Sequence, residues 1–70
     1  MNTKEIGKRI KGIRREAGLS QEDFGKKLFV SQNMVSLWEN GRSVPTAEFL
    51  ISIAEQFEVS VDYLLCLKEY

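Results

Sequence analysis

The chain has 70 residues, 43% of them hydrophobic, with ten basic and ten acidic side chains. That length supports one domain around one compact core, and no run approaches the ~18 apolar residues of a membrane span. With no histidine and a single cysteine, the sequence holds no disulfide, no paired-cysteine metal site and no histidine-based catalysis.

Neutrality hides an asymmetry. Residues 1–42 carry nine Lys/Arg against five Asp/Glu, and residues 43–70 carry one against five, so one face of a neutral protein can be positive. Lys4, Lys8, Lys11 and Arg15 either contribute to that face or only solvate the outside of their helix. The charged N-terminus lacks the apolar core of a signal peptide. A reducing, cytoplasmic compartment is expected, and Cys66 reads as a small apolar helix residue.

The first helix is expected to start after a cap at Thr3 and to end near Ala17, with Ile6, Ile10, Ile13 and Ala17 as its buried stripe and Gly18 as its terminator. Ser20 caps a second helix running to Leu28, with Asp23 placed as a capping-box partner and Leu19 stapling to Phe24. Phe24 and Leu28 continue the buried face. Gly25 leaves room for close approach at a helix-interior cost of about 1 kcal/mol. Ser31 caps a third helix, Val30 staples to Val35, and Asn40-Gly41 ends it. A loop to Pro45 leads to a cap at Thr46 and a fourth helix with Leu50, Ile53, Ala54 and Phe57 inward. Ser60 caps a fifth, with Val59 stapling to Leu64. No strand alternation or repeat is present.

The third helix carries the chemistry. Val35 and Trp38 face the core with Leu28 and Ile53, which leaves Gln32, Asn33, Ser36 and Leu37 on the outer face. Gln and Asn side chains can donate to and accept from one adenine at once, and Leu can pack on thymine methyls. Two short helices joined by about three residues, the second led by such amides, make a helix-turn-helix over about residues 20–40.

Ser20-Gln21, Val30-Ser31-Gln32, Leu37-Trp38-Glu39-Asn40-Gly41-Arg42 and Pro45, in that order, resemble the phage Cro/repressor family, which includes the xenobiotic-response-element type regulators. The resemblance runs from about Ile6 to Leu65. It implies an all-α, five-helix lambda-repressor-like DNA-binding domain, here taken as residues 1–70. It also implies base contacts from Gln32, Asn33 and Leu37 and phosphate contacts from Gln21 and from Asn40, Gly41 and Arg42, to which Ser31 is added. A structural ion pair is implied between Arg14 and Glu39. Relative to the family pattern, Phe29 and Glu58 stand where Gly is common. Either these residues take positive φ at a cost of about 1 kcal/mol or more, or the local turns differ.

The segment Val61–Leu67 is apolar nearly all round, and a surface helix buries one stripe. Val61, Leu64 and Leu65 are assigned to that stripe, leaving Tyr63, Cys66, Leu67 and Tyr70 as a candidate homodimer surface. The expected function is that of a sequence-specific regulator, a repressor on a palindromic double-stranded DNA operator. The alternative is an antitoxin-like module that holds a protein partner with the same fold. No enzymatic chemistry, metal, cofactor, membrane contact or small-molecule substrate is expected. Small-molecule sensing is not expected either, since no effector domain is seen.

Overall fold

The computed structural model describes Met1–Tyr70 and contains five helices and no strand: α1 (Thr3–Glu16), α2 (Gln21–Leu28), α3 (Gln32–Glu39), α4 (Ala47–Phe57) and α5 (Val61–Leu64). This is the all-α, five-helix arrangement expected from the sequence. The core joins Ile6, Ile10 and Ile13 of α1, Phe24 and Leu28 of α2, Val35 and Trp38 of α3, Leu50 and Ile53 of α4, and Leu64 of α5. Burying one such side chain contributes roughly 1.5–3 kcal/mol. Two aromatic contacts add shape to it: Phe24 stacks on Phe57 with centroids 5.2 Å apart, and Trp38 meets Phe49 at 5.6 Å.

Helix starts are set largely by side-chain caps. Ser20, Ser31 and Ser60 each accept a bond from the backbone N–H three residues on. Two expected caps differ. Asn2, not Thr3, caps α1, its Oδ1 accepting from Glu5 N at 3.1 Å. Asn ranks above Thr at this position, and its capping draws Thr3 into the helix. Thr46 has the extended cap conformation but no side-chain cap bond; the buried Pro45 anchors that entry instead. Asp23 completes only half of a capping box, since its backbone N–H bonds Ser20 Oγ without a reciprocal side-chain bond.

All five helices end on a left-handed residue: Gly18, Phe29, Gly41, Glu58 and Cys66. In each of them the N–H of the next residue reaches back five positions: Leu19 to Arg14 O, Val30 to Gly25 O, Arg42 to Leu37 O, Val59 to Ala54 O and Leu67 to Asp62 O. This is the Schellman closure, which satisfies the last helix carbonyls. Phe29 and Glu58 therefore keep the positive φ that Gly would have taken, at 61° and 56°.

Three expectations are corrected by these endings. α5 stops at Leu64, so Val61–Leu67 is not one helix, because the closure at Cys66, φ 64°, turns the chain. Cys66 is thus the terminating residue and not a helix residue. Ala17 is exposed, because α1 has already ended at Glu16. Gly25 serves a close approach, but to the turn entering α3: an added Cβ would lie 2.7 Å from Val30 O.

Phe29 is 95% exposed, so its ring gains nothing from burial to offset its left-handed backbone. Phe29→Gly is expected to stabilise the fold by about 1 kcal/mol, raising the melting midpoint by roughly 4–8 °C. A melting curve with an unchanged or lower midpoint contradicts this reading of the turn.

Candidate nucleic-acid interface

The first turn of α3 stands clear of the protein. Gln32 and Asn33 are exposed, and Ser36 and Leu37 behind them are half-buried. On the opposite face Val35 and Trp38 are buried. The helical period therefore sorts this short helix into a face that grips the core and a face free to meet a partner. The four outer residues named from the sequence lie together on that free face.

The far end of α3 is locked. Glu39 has its side chain 3% exposed, and Arg14 Nε donates to its Oε2 at 2.7 Å. Arg14 Nη2 donates to Glu39 Oε1 at 3.1 Å, and Nη1 donates to Leu19 O at 2.9 Å. This paired-fork geometry joins α1, the α1–α2 turn and the end of α3. The hydrogen bond to Glu39 raises the Arg14 pKa above its ordinary value; burial opposes the rise, and the charge of Glu39 adds to it. A raised pKa means the contribution is complete below the unfolded value and is lost only above the folded one. Arg14 is therefore charged across any pH at which the fold is used.

Gln21 belongs to the same network. Its Nε2 donates to Glu39 Oε1 at 3.1 Å. The sequence assigned Gln21 to phosphate alone; the structure gives one of its two amide hydrogens to Glu39, leaving the other hydrogen and the free first-turn N–H groups of α2. Ser31 is similarly shared, since its Oγ accepts from Met34 N at 3.1 Å.

After α3 the chain presents Asn40, Gly41 and Arg42. Asn40 donates to Ser36 Oγ at 3.3 Å. Gly41 has φ 75°, and an added Cβ would lie 3.0 Å from Lys4 Cα. Arg42 is exposed and forms no ion pair. Lys4 therefore lies beside this loop, a neighbour the sequence did not reveal.

The seventy-residue chain resembles known proteins along most of its length. A family model described as helix-turn-helix matches residues 10–64. The chain belongs to the helix-turn-helix family. It is 35% identical over 65 residues to repressor protein C2 of Salmonella phage P22, covering 93% of this chain and 30% of that protein. It is 34% identical over 65 residues to the transcriptional activator BcrR of Enterococcus faecalis, covering 93% and 32% respectively. The chain thus spans about a third of either relative. A solved structure of the P22 c2 repressor in complex with a synthetic operator superimposes with a TM-score of 0.79 at 32% identity, covering 84% of this chain and 89% of that one. The resemblance to phage repressors read from the sequence is therefore correct.

Sequence reasoning missed two contacts that α1 makes, one with α3 and one with α5 and the residues after it. Gly7 lies on the α1 stripe with Ile10 and Arg14, and an added Cβ would press on Trp38 O and lie 2.6 Å from Glu39 O. A glycine inside a strongly patterned helix was the available signal for that close approach. Arg9 is the other: it donates to Tyr63 O at 2.6 Å, bonds Lys68 O, and its guanidinium lies 4.4 Å from the Tyr63 ring centroid.

Removing Glu39 leaves a nearly buried guanidinium without its carboxylate. Glu39→Ala is expected to destabilise the fold by ~3–5 kcal/mol, well beyond the effect of an exposed pair. Urea unfolding of this variant beside Glu5→Ala, which removes an exposed pair, decides the matter. Equal midpoints in the two variants contradict a structural role for the lock.

Proposed function

We propose that this chain is a sequence-specific double-stranded DNA-binding transcriptional regulator, acting as a repressor that occupies a palindromic operator. One observation carries the reading: exposed Gln32 and Asn33 lead a helix whose other face is buried and whose far end is locked by Arg14 and Glu39. Rigid backing with free amides suits direct readout of base edges in the major groove. The P22 repressor complex with operator DNA supports the same use of this fold.

In this reading Gln32, Asn33, Ser36 and Leu37 face the bases, Leu37 against thymine methyls, and Gln21, Ser31, Asn40, Gly41 and Arg42 fix the phosphate backbone. Glu39 accepts from the Gln21 amide, and in this reading the remaining N–H meets a phosphate. Lys4, beside the Arg42 loop, adds charge at the edge. The protein works without catalysis or cofactor and in the cytoplasm; no helix is long and apolar enough to cross a membrane. The antitoxin-like alternative has less support, because the free face of α3 is led by exposed amides suited to base edges.

A selection from randomised duplexes tests the function, with the purified chain as bait. Enrichment of a palindrome supports it. A single stoichiometric protein partner from a pulldown, with no enriched DNA, supports the antitoxin-like reading instead. On the enriched sequence, Gln32→Ala and Asn33→Ala should each cost about 1–3 kcal/mol while barely changing affinity for random DNA. Arg42→Ala should weaken both and reduce the salt slope by about one ion. Equal losses on both DNAs for the amide variants remove them from base reading.

The self-association surface is narrower than Tyr63, Cys66, Leu67 and Tyr70 together. Tyr63 and Cys66 are half-buried against the core, and Arg9 covers one ring face of Tyr63. Leu67 and Tyr70 remain 70% and 81% exposed. We centre the two-fold contact on Leu67, since a symmetric dimer reads two half-sites about 34–36 Å apart. Leu67→Glu should weaken dimerisation and operator binding while preserving the helical circular dichroism signal. Sedimentation as a monomer with one chain per duplex contradicts the dimer.

A further inference from the structure

A cleft of about 270 Å³ opens between the middle of α1, the α4–α5 turn and the C-terminal end of the chain. Its walls combine Ile13, Val59, Tyr63 and Tyr70 with the carboxylates of Glu16 and Glu58. A shallower groove continues it past Ile13, Glu16 and Val59 to Phe57. None of these residues belongs to α2 or α3, so the cleft is separate from the helix-turn-helix.

Charge decides what fits. Glu16 and Glu58 form no ion pair or side-chain hydrogen bond, and the two cations that meet the cleft's tyrosine rings, Arg9 over Tyr63 and Lys68 5.7 Å from the Tyr70 centroid, are held elsewhere. Arg9 is held by Tyr63 O, Lys68 O and Glu69, and Lys68 lies 3.8 Å from Asp62. The cleft therefore sets two aliphatic and two tyrosine side chains beside two carboxylates that have no ion-pair partner. Tyr63 already receives a guanidinium over its ring, the contact that aromatic faces offer to cations.

Two local costs meet at this cleft. Gly12 sits inside α1 although an added Cβ would meet nothing within 4 Å, so the chain's own packing does not require glycine there. A side chain at this position would stand in the cleft. Glu58 holds a left-handed backbone at φ 56° where glycine would relieve it, and that backbone carries one of the two carboxylates. Residues that break a local rule without a packing reason are found at functional or strained positions.

We propose that this cleft binds a small amphipathic organic cation, an aryl- or alkyl-ammonium or guanidinium. The apolar stem lies against Ile13, Val59 and the tyrosine rings, and the charged head lies between Glu16 and Glu58. The volume suits a fragment-sized ligand. No local pattern of residues marks such a site because its walls come from three separated segments, one of them brought in by the bonds from Arg9 to Lys68 O and from Ser60 Oγ to Tyr70 O.

The test is a nuclear magnetic resonance titration of the whole chain with phenethylammonium, with phenethyl alcohol as the neutral isostere. Saturable shifts at the Gly12, Glu58 and Ser60 amides are expected, with a dissociation constant of about 1 mM or tighter. The alcohol should bind at least about threefold more weakly, and Glu16→Gln and Glu58→Gln should each weaken the amine by about three- to fivefold. Gly12→Leu should abolish binding while the α3 resonances stay in place. Because Glu→Gln keeps size and fold, the result does not depend on tolerance of leucine. Linear shifts that do not saturate by ~20 mM, equal binding of the alcohol, or unchanged affinity in both Gln variants overturn the proposal.

Discussion

Gly7 lets the backbone of α1 rest on the carbonyls that end α3. An added Cβ there would press on Trp38 O and lie 2.6 Å from Glu39 O, so the two helices meet closer than any side chain permits. This contact sets the end of α3 at a fixed distance from α1. Trp38 is then buried, and Glu39 comes within reach of Arg14. With that charge pair closed, no buried side-chain polar atom is left without a partner. Closing such a network matters because a buried charge without its partner is strongly destabilising.

Fixing one end of a short helix fixes its other end. α3 has eight residues, about 12 Å of rise, with no length to bend. Its C-terminal half is held by Trp38 and Glu39 and closed by the turn at Gly41, while its first turn exposes Gln32 and Asn33. The charge asymmetry of the sequence fits this geometry, since Lys4 and Arg42 are neighbours through Gly41. The same close packing draws Gln21 to Glu39, so the start of α2 and the end of α3 share one hydrogen-bonded carboxylate.

Much of this was legible from the residues. Serines at 20, 31 and 60 placed three helix starts because their hydroxyls satisfy free N–H groups locally. The spacing of Val35 and Trp38 separated the two faces of α3 because helical period alone decides it. What stayed hidden was long-range. Arg9 pairs with Tyr63 and Lys68 across more than fifty positions, and no local pattern encodes that partner. α5 was read as too long because hydrophobicity does not report a left-handed residue at Cys66. The fold is consistent with Phe29 and Glu58 because a helix end demands positive φ there even when glycine is missing. Such positions carry strain that the packing of the rest of the protein sustains.

Two glycines of one helix give the sharpest test of the α1–α3 contact. Helix propensity alone makes Ala better than Gly by about 1 kcal/mol at either position. Gly12 has open space beyond it, whereas Gly7 faces two backbone carbonyls that cannot move aside. The stabilities of Gly7→Ala and Gly12→Ala, measured by urea unfolding under one set of conditions, should move in opposite directions. Gly12→Ala is expected to gain about 1 kcal/mol, and Gly7→Ala to lose at least about 1–3 kcal/mol through overpacking. Stabilisation by both substitutions would contradict the central place given to the α1–α3 contact.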